Sequence, residues 1–232
     1  MITNWLKDIL LFKSDKTLSF LLAFLVVLLF VVYPFVPVDG VGKYIIDVFL
    51  SLILISGTFV VENRNLRRVA LGLMAVTLLT RWATYASANR ELLFLNTIVG
   101  IVFFVFAVVV ILGRVFAHGP VTRHRVQGAV AVYMLIGLIF GSVYALLAQI
   151  DHRAFDIAEF VFTGTPREVY DRAVGILTYF SFITLTTVGY GDITPMGPIA
   201  KQFAVLEGLI GQLYPAILLA RLVSLQVSAR NE

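Results

Sequence analysis

The sequence predicts an all-α membrane protein with six transmembrane helices. Of the 232 residues, 59% are hydrophobic and only 14% are charged, which is too apolar a composition for a soluble globular protein. A helix that spans a bilayer needs about 20 predominantly apolar residues. Six stretches of the chain have that character: 18–36, 44–61, 66–85, 92–112, 126–150 and 199–227. The chain contains no cysteine, which excludes disulfides and thiolate metal sites.

The distribution of charge predicts the orientation. The net charge is +4, but the basic residues sit in short loops, so the positive-inside rule explains them better than nucleic-acid binding does. More of the 18 basic residues fall inside if the N-terminus is cytoplasmic. Six acidic residues then fall outside, in the loop between spans five and six: Asp151, Asp156, Glu159, Glu168, Asp171 and Asp192. We therefore expect a multi-pass protein of the cell membrane, with both termini cytoplasmic and no cleaved signal peptide.

The spans divide the chain into five predicted regions. Residues 1–17 form a cytoplasmic interfacial helix, because apolar side chains recur at helical spacing around Trp5. Residues 18–113 form a four-helix transmembrane bundle, and residues 114–125 form a cytoplasmic linker. Residues 126–227 form the last two spans and the segment between them, and residues 228–232 form a cytoplasmic tail. Within span five, Gly137 and Gly141 provide a small-residue pattern that lets helices approach closely.

Between the last two spans lies the run Thr187-Val188-Gly189-Tyr190-Gly191-Asp192. Carbonyls on an ordinary extended strand alternate in direction. Turning them all to one side requires left-handed conformations, which glycine adopts at little cost. Carbonyl oxygens arranged in this way replace the hydration shell of an ion. Val188 and Tyr190 then face away from the axis, while Thr187 lies at the inner mouth and Asp192 at the outer mouth.

The run from Tyr179 to Asp192 resembles the pore helix and selectivity filter of the potassium channel family. The resemblance implies a re-entrant helix over residues 170–186 and a homotetramer, in which three identical subunits complete the filter. It implies K⁺ binding by the carbonyls of Thr187, Val188, Gly189 and Tyr190, with Gly191 completing the ion-binding stretch. K⁺ is then the permeant ion, no cofactor is needed, and the partners are lipid and other subunits. We expect neither an enzyme nor a nucleic-acid-binding protein.

Two further residues are expected to support the filter from the pore helix, Tyr179 and Thr186. Some family members carry an acidic residue where this chain has Ile183, which removes a possible coupling to Asp192. Tyr179 is instead expected to hydrogen-bond Asp192.

Six spans with a pore between the last two resemble the voltage-gated architecture, but the fourth span departs from it. A voltage sensor carries regularly spaced arginines on that span, each worth about 2.3 kcal/mol per 100 mV. Residues 92–112 contain no arginine. Arg81 and Arg114 lie near span ends, where snorkelling to the interface is the ordinary explanation. We therefore expect a channel without strong intrinsic voltage gating.

The sixth span holds the candidate gate and cavity residues. Gly211 is a candidate hinge, with helix packing as the competing explanation and Gly208 as a competitor for the hinge role. Pro215 is expected to kink the helix. Gln212 is a candidate cavity residue. Glu207 must face protein or water because a charge at the centre of a span costs about 2.5–3.5 kcal/mol. A structural hydrogen bond, protonation and a role in permeation all remain open for Glu207.

Three other functions compete with a potassium channel. A non-selective cation channel typically alters the filter at the tyrosine, and a potassium transport subunit carries four pore repeats. An intramembrane aspartyl protease would use Asp192, within Gly-x-Gly-Asp, and Asp171, which follows Tyr170. We expect Asp171 in a polar loop, joined to Asp192 by one short segment, which disfavours the protease.

Overall fold

The computed structural model describes residues 17–36, 41–61, 63–87, 89–117 and 122–228. The predicted interfacial helix lies almost wholly outside these residues, as does most of the predicted C-terminal tail. The described chain is almost entirely helical, with one short pair of β-strands.

Six of the described helices are long and apolar enough to cross a membrane, which confirms the predicted fold class. A seventh helix, α6, lies between the last two of them. In chain order the helices are α1 Thr17–Phe35, α2 Gly42–Val60, α3 Arg64–Ala86, α4 Arg90–Val115, α5 Arg123–Ile150, α6 Pro166–Leu185 and α7 Pro198–Ser228. A π-helical segment, Leu28–Val32, interrupts the α-helical geometry of α1.

Polar caps explain why several helices begin just before their apolar spans. The side chain of Asn63 accepts hydrogen bonds from the backbone of Asn65 and Leu66, at 2.9 and 3.3 Å, and so satisfies free amides at the start of α3. Thr122 caps α5 in the same way through the Arg125 amide. Hydropathy alone does not detect these polar first turns.

The start of α6 corrects the prediction. We expected a polar loop as far as Asp171 and a helix over 170–186, but α6 begins at Pro166. Thr165 and Glu168 form a reciprocal capping box, and proline is well suited to the first helical position. The hydrogen bonds from Thr165 also hold the pKa of Glu168 below its usual range. Asp171 therefore lies within the helix, where it pairs with Arg167 at 2.9 Å.

The first hydrophobic core joins the N-terminal helices to α5. Leu21, Leu25 and Leu28 of α1 are almost fully buried in it. A side chain added at Gly128 of α5 would touch Ile111 and Val115 of α4, so these two helices lie close together. The four-helix bundle therefore packs along α5.

A second core joins α5, α6 and α7 to the loop before α6. It is centred on Tyr144, which is fully buried and meets the rings of Phe155 and Phe180 edge-on. The strands β1, Phe155–Asp156, and β2, Thr194–Pro195, pair antiparallel. This pairing fastens the loop before α6 to the segment that follows the predicted filter.

The small-residue pattern of α5, predicted to let helices approach closely, lies against α6. A Cβ atom at Gly137 would lie 2.7 Å from the Phe182 ring, and one at Gly141 would lie 2.8 Å from the Thr178 backbone. Only glycine lets the two helices approach this closely.

A buried ionic network links the bundle to α6. Asp47 of α2 accepts from Arg81 of α3 at 2.7 Å and from Arg167 of α6 at 2.6 Å. Tyr85 donates to the same carboxylate at 2.6 Å, and Arg167 also hydrogen-bonds Thr84. The snorkelling interpretation of Arg81 is therefore wrong. This side chain turns inward because a buried carboxylate on the neighbouring helix attracts it.

Candidate functional site

The loop between α6 and β2 alternates in backbone conformation. Thr187, Gly189 and Gly191 have φ angles of 59°, 57° and 77°. Among the described residues, the only other positive φ belongs to Gly164. The expectation of left-handed geometry at Gly189 and Gly191 is confirmed, whereas Thr187 was not foreseen. Every second residue of this run is therefore left-handed, an arrangement that turns successive carbonyls to the same side.

The end of α6 holds the first amide groups of the loop, those of residues 187–189. Val188 and Gly189 both donate to the carbonyl of Ile183, at 3.0 and 3.3 Å, and Thr187 donates to Thr184 at 2.9 Å. Among the described hydrogen bonds, none is accepted by the carbonyls of residues 187–190. The C-terminus of a helix also carries partial negative charge, which favours a nearby cation. The arrangement can therefore present unpaired carbonyl oxygens to a cation.

Two side chains from α6 flank the loop. Tyr179 donates to the Asp192 carboxylate at 2.8 Å, which is the hydrogen bond expected between them. Thr186 turns its hydroxyl back to the Phe182 carbonyl of its own helix at 2.6 Å. Tyr179 thus braces the outer end of the loop, while Thr186 completes the last turn of α6.

The loop lies open in the single chain. Residues 186–192 are all exposed, and 72% of Tyr190 and 50% of Val188 are accessible. The described residues of this chain do not supply the wall against which these two side chains were expected to pack.

Behind the loop, Glu207 of α7 is completely buried. One carboxyl oxygen lies 2.6 Å from the Tyr144 hydroxyl of α5, and the other lies 2.5 Å from the Ser181 hydroxyl of α6. Ser181 also lies 2.7 Å from the Gly137 carbonyl of α5. Glu207 is therefore hydrogen-bonded to the other two helices of the pore region.

The other candidates on α7 differ in their surroundings. A Cβ atom at Gly211 would overlap the Leu185 carbonyl at the end of α6, whereas one at Gly208 would have nothing within 4 Å. Gln212 is exposed in the single chain. The helix continues unbroken through Pro215. A packing reason for glycine therefore exists at Gly211, and the predicted gating and cavity roles stay predictions.

Comparison with known proteins identifies this region. Residues 132–227 match the family model described as "Ion channel". A stretch of 46 residues is 52% identical to two pore potassium channel c from Oryza sativa subsp. japonica and covers 20% of this chain and 10% of that protein. A stretch of 46 residues is 44% identical to two-pore potassium channel 3 from Arabidopsis thaliana, covering 20% of this chain and 11% of that one. Residues 132–227 are therefore similar to ion channels, and two of the relatives that match this chain are potassium channels.

These matches indicate a channel rather than an enzyme. The chain is also 36% identical over 93 residues to protein LctB from Geobacillus stearothermophilus, which covers 39% of this chain and 62% of that protein. It therefore spans somewhat less than two thirds of that relative and about a tenth of each two-pore channel. No solved structure matches the chain.

Several residues that organise the region from α5 to α7 were not predicted from the sequence. Asp47 carried a signal, because an acidic residue within an apolar span needs a partner. Its partner on α6, Arg167, was assigned to a solvated loop. Tyr144 and Ser181 carried no signal, because both residue types are common in membrane helices. Only the packing of three helices brings them to Glu207.

Proposed function

We propose that the protein is a potassium-selective channel that conducts K⁺ passively down its electrochemical gradient. The observation that carries the proposal is the alternating conformation of residues 187–191. The amides of residues 187–189 bind to α6, and none of the described hydrogen bonds is accepted by the carbonyls of residues 187–190. A dehydrated K⁺ ion needs a file of oxygen ligands, and these carbonyls are candidates for that role. The ion-binding atoms are the carbonyl oxygens of Thr187, Val188, Gly189 and Tyr190.

The channel is a homotetramer in this proposal. Irregular backbone at membrane depth is tolerated only where protein or water surrounds it. Residues 186–192 are open in the single chain, so other copies must enclose them. Three identical subunits then supply the remaining sides of the filter and a wall for Val188 and Tyr190.

The proposed orientation places both termini in the cytoplasm of a cell whose membrane the channel crosses. Basic residues at the start of α3 support it, since Arg64, Arg67 and Arg68 are exposed there. The acidic loop before α6 and the outer mouth at Asp192 then face outward.

The same proposal excludes strong intrinsic voltage gating. Both arginines of α4, Arg90 and Arg114, lie at its ends. Arg81 of α3 is paired with Asp47. A set of arginines spaced to move through the membrane field is therefore lacking in these described helices.

Reconstitution in planar bilayers tests the function. With K⁺ on one side and Na⁺ on the other, we expect the reversal potential to follow K⁺. In the same bilayers the open probability should change only weakly with voltage. A reversal potential near zero would identify a non-selective cation channel, and steep voltage dependence would contradict the proposed gating.

The Gly189→Ala variant tests the geometry of the filter. Within the single chain a methyl group there has nothing within 4 Å, and the φ angle of 57° opposes it, at a cost of about 1–2 kcal/mol per subunit. We expect selectivity for K⁺ over Na⁺ to fall. Gly175→Ala in α6 is the matched control, because its added methyl group is equally free and the helix accepts alanine. Unchanged selectivity in Gly189→Ala would remove the main support for the proposal.

A further inference from the structure

The cluster around Glu207 contains three short oxygen–oxygen contacts and needs three protons. The contacts are Tyr144 to Glu207 at 2.6 Å, Ser181 to Glu207 at 2.5 Å, and Ser181 to the Gly137 carbonyl at 2.7 Å. Each lies in the range of an O–H···O hydrogen bond, so each requires one hydrogen between its oxygens.

The two hydroxyl groups provide only two of these protons. A carbonyl can only accept, so the contact with Gly137 takes the single proton of Ser181. The contact between Ser181 and Glu207 is then left without a hydrogen, unless the carboxyl group itself carries one. Tyr144 donates the remaining hydroxyl proton to the other carboxyl oxygen.

The absence of a nearby cation in the described part of the chain also favours a proton on Glu207. Glu207 has no accessible surface, and no ion pair among the described residues involves it. The groups that face it are the hydroxyls of Tyr144 on α5 and Ser181 on α6. A buried carboxylate without a cation costs several kcal/mol, whereas a neutral acid with satisfied hydrogen bonds avoids most of that cost.

We propose that Glu207 is a positioning residue that acts as an uncharged carboxylic acid and donates its proton to Ser181. The resulting chain runs from Tyr144 through Glu207 and Ser181 to the Gly137 carbonyl. It ties α6 to both α5 and α7, close to Ile183, whose carbonyl holds the filter amides. The protonation state of Glu207 does not depend on the proposed function, whereas the expected effect on ion selectivity rests on it.

Infrared difference spectroscopy of the purified channel in lipid tests the protonation state. The wild-type spectrum minus that of Glu207→Gln should contain the carbonyl-stretching band of a protonated carboxylic acid at neutral pH. Glu91→Gln is the matched control, because Glu91 is exposed on α4, away from the cluster around Glu207, and its difference spectrum should lack this band. Carboxylate bands for Glu207 would overturn the proposal.

Ion selectivity tests the positioning role. Glutamine is neutral, has nearly the same size, and can donate to Ser181 while accepting from Tyr144. We therefore expect Glu207→Gln to keep the wild-type permeability ratio of K⁺ to Na⁺. Glu207→Leu fills similar space without hydrogen bonds, and we expect that ratio to fall about tenfold in assembled channels.

The outcomes separate the two proposals. If wild-type channels are unselective, the proposed function fails, while the infrared band still decides the state of Glu207. If Glu207→Gln lowers conductance or selectivity as much as Glu207→Leu does, the carboxyl charge matters and the neutral acid is refuted. Equal selectivity in all three proteins would refute the positioning role.

Discussion

At the residue scale, the contact between Gly211 and Leu185 joins the last helix to the filter. The Leu185 carbonyl accepts a hydrogen bond from Tyr133 at 3.0 Å and lies directly against Gly211. Leu185 is also the last residue of α6, two positions before the first left-handed residue of the filter. A shift of the backbone at Gly211 would therefore displace Leu185 and, through it, the inner mouth of the proposed filter.

Gly211→Ala should destabilise the channel, because its methyl group overlaps backbone that cannot move without disturbing the filter. Overpacking of this kind typically costs about 1–3 kcal/mol. We expect a lower thermal unfolding midpoint and reduced K⁺ flux into proteoliposomes. Gly208→Ala, one turn earlier with open space around it, should retain both properties. Equal tolerance of the two variants would mean that the close contact is not needed.

Residue identity predicted the filter only in part. Gly189 and Gly191 reveal their left-handed geometry because glycine is the residue that adopts it cheaply. Thr187 has the same left-handed geometry although it is not a glycine. Its conformation is set by the hydrogen bonds that anchor its neighbours to α6. A local signal exists for the glycines, whereas the conformation of Thr187 depends on the surrounding structure.

At the scale of elements, Asp47 links the four-helix bundle to α6. Its carboxylate joins α2 to α3 and to α6 through two guanidinium groups. Removing one partner of a buried ion pair leaves charge without compensation and costs about 3–5 kcal/mol.

Asp47→Asn should therefore lower the free energy of unfolding by several kcal/mol, because Arg81 and Arg167 lose their shared counter-ion. Thermal or denaturant unfolding of the solubilised channel measures the loss. Asp156→Asn makes the same chemical change at an exposed position on β1 and should have little effect. A similar stability for both variants would show that the network does not hold the elements together.

The sequence allowed the six spans to be predicted, but it did not allow the ionic network around Asp47 to be predicted. Apolar length alone specifies a membrane helix, so hydropathy located every span to within a few residues. The partner of a buried charge depends instead on which helices become neighbours, and this information is not local. The early start of α6 is a different case, because the capping box of Thr165 and Glu168 is a local signal that the sequence carries.

At the scale of the whole molecule, the proposed filter demands four copies of the chain. We expect the solubilised protein to have a native mass of four times the 25.7 kDa chain, plus bound detergent. Light scattering coupled to size-exclusion chromatography measures it, and cross-linking of the sample should give a ladder that ends at four. A stable monomer that still conducts K⁺ would contradict the proposed assembly.

The route from α4 to α5 is short, since one helix ends at Val115 and the next begins at Arg123. At the opposite ends of these helices, Arg90 donates to the Gln149 carbonyl. In the proposed tetramer, the helical bundle of each protomer therefore packs against α5 of the same protomer. Assembly would then dock four such protomers through their pore regions, so two versions of the chain that share the pore surface but differ in their outer helices are expected to combine into mixed tetramers.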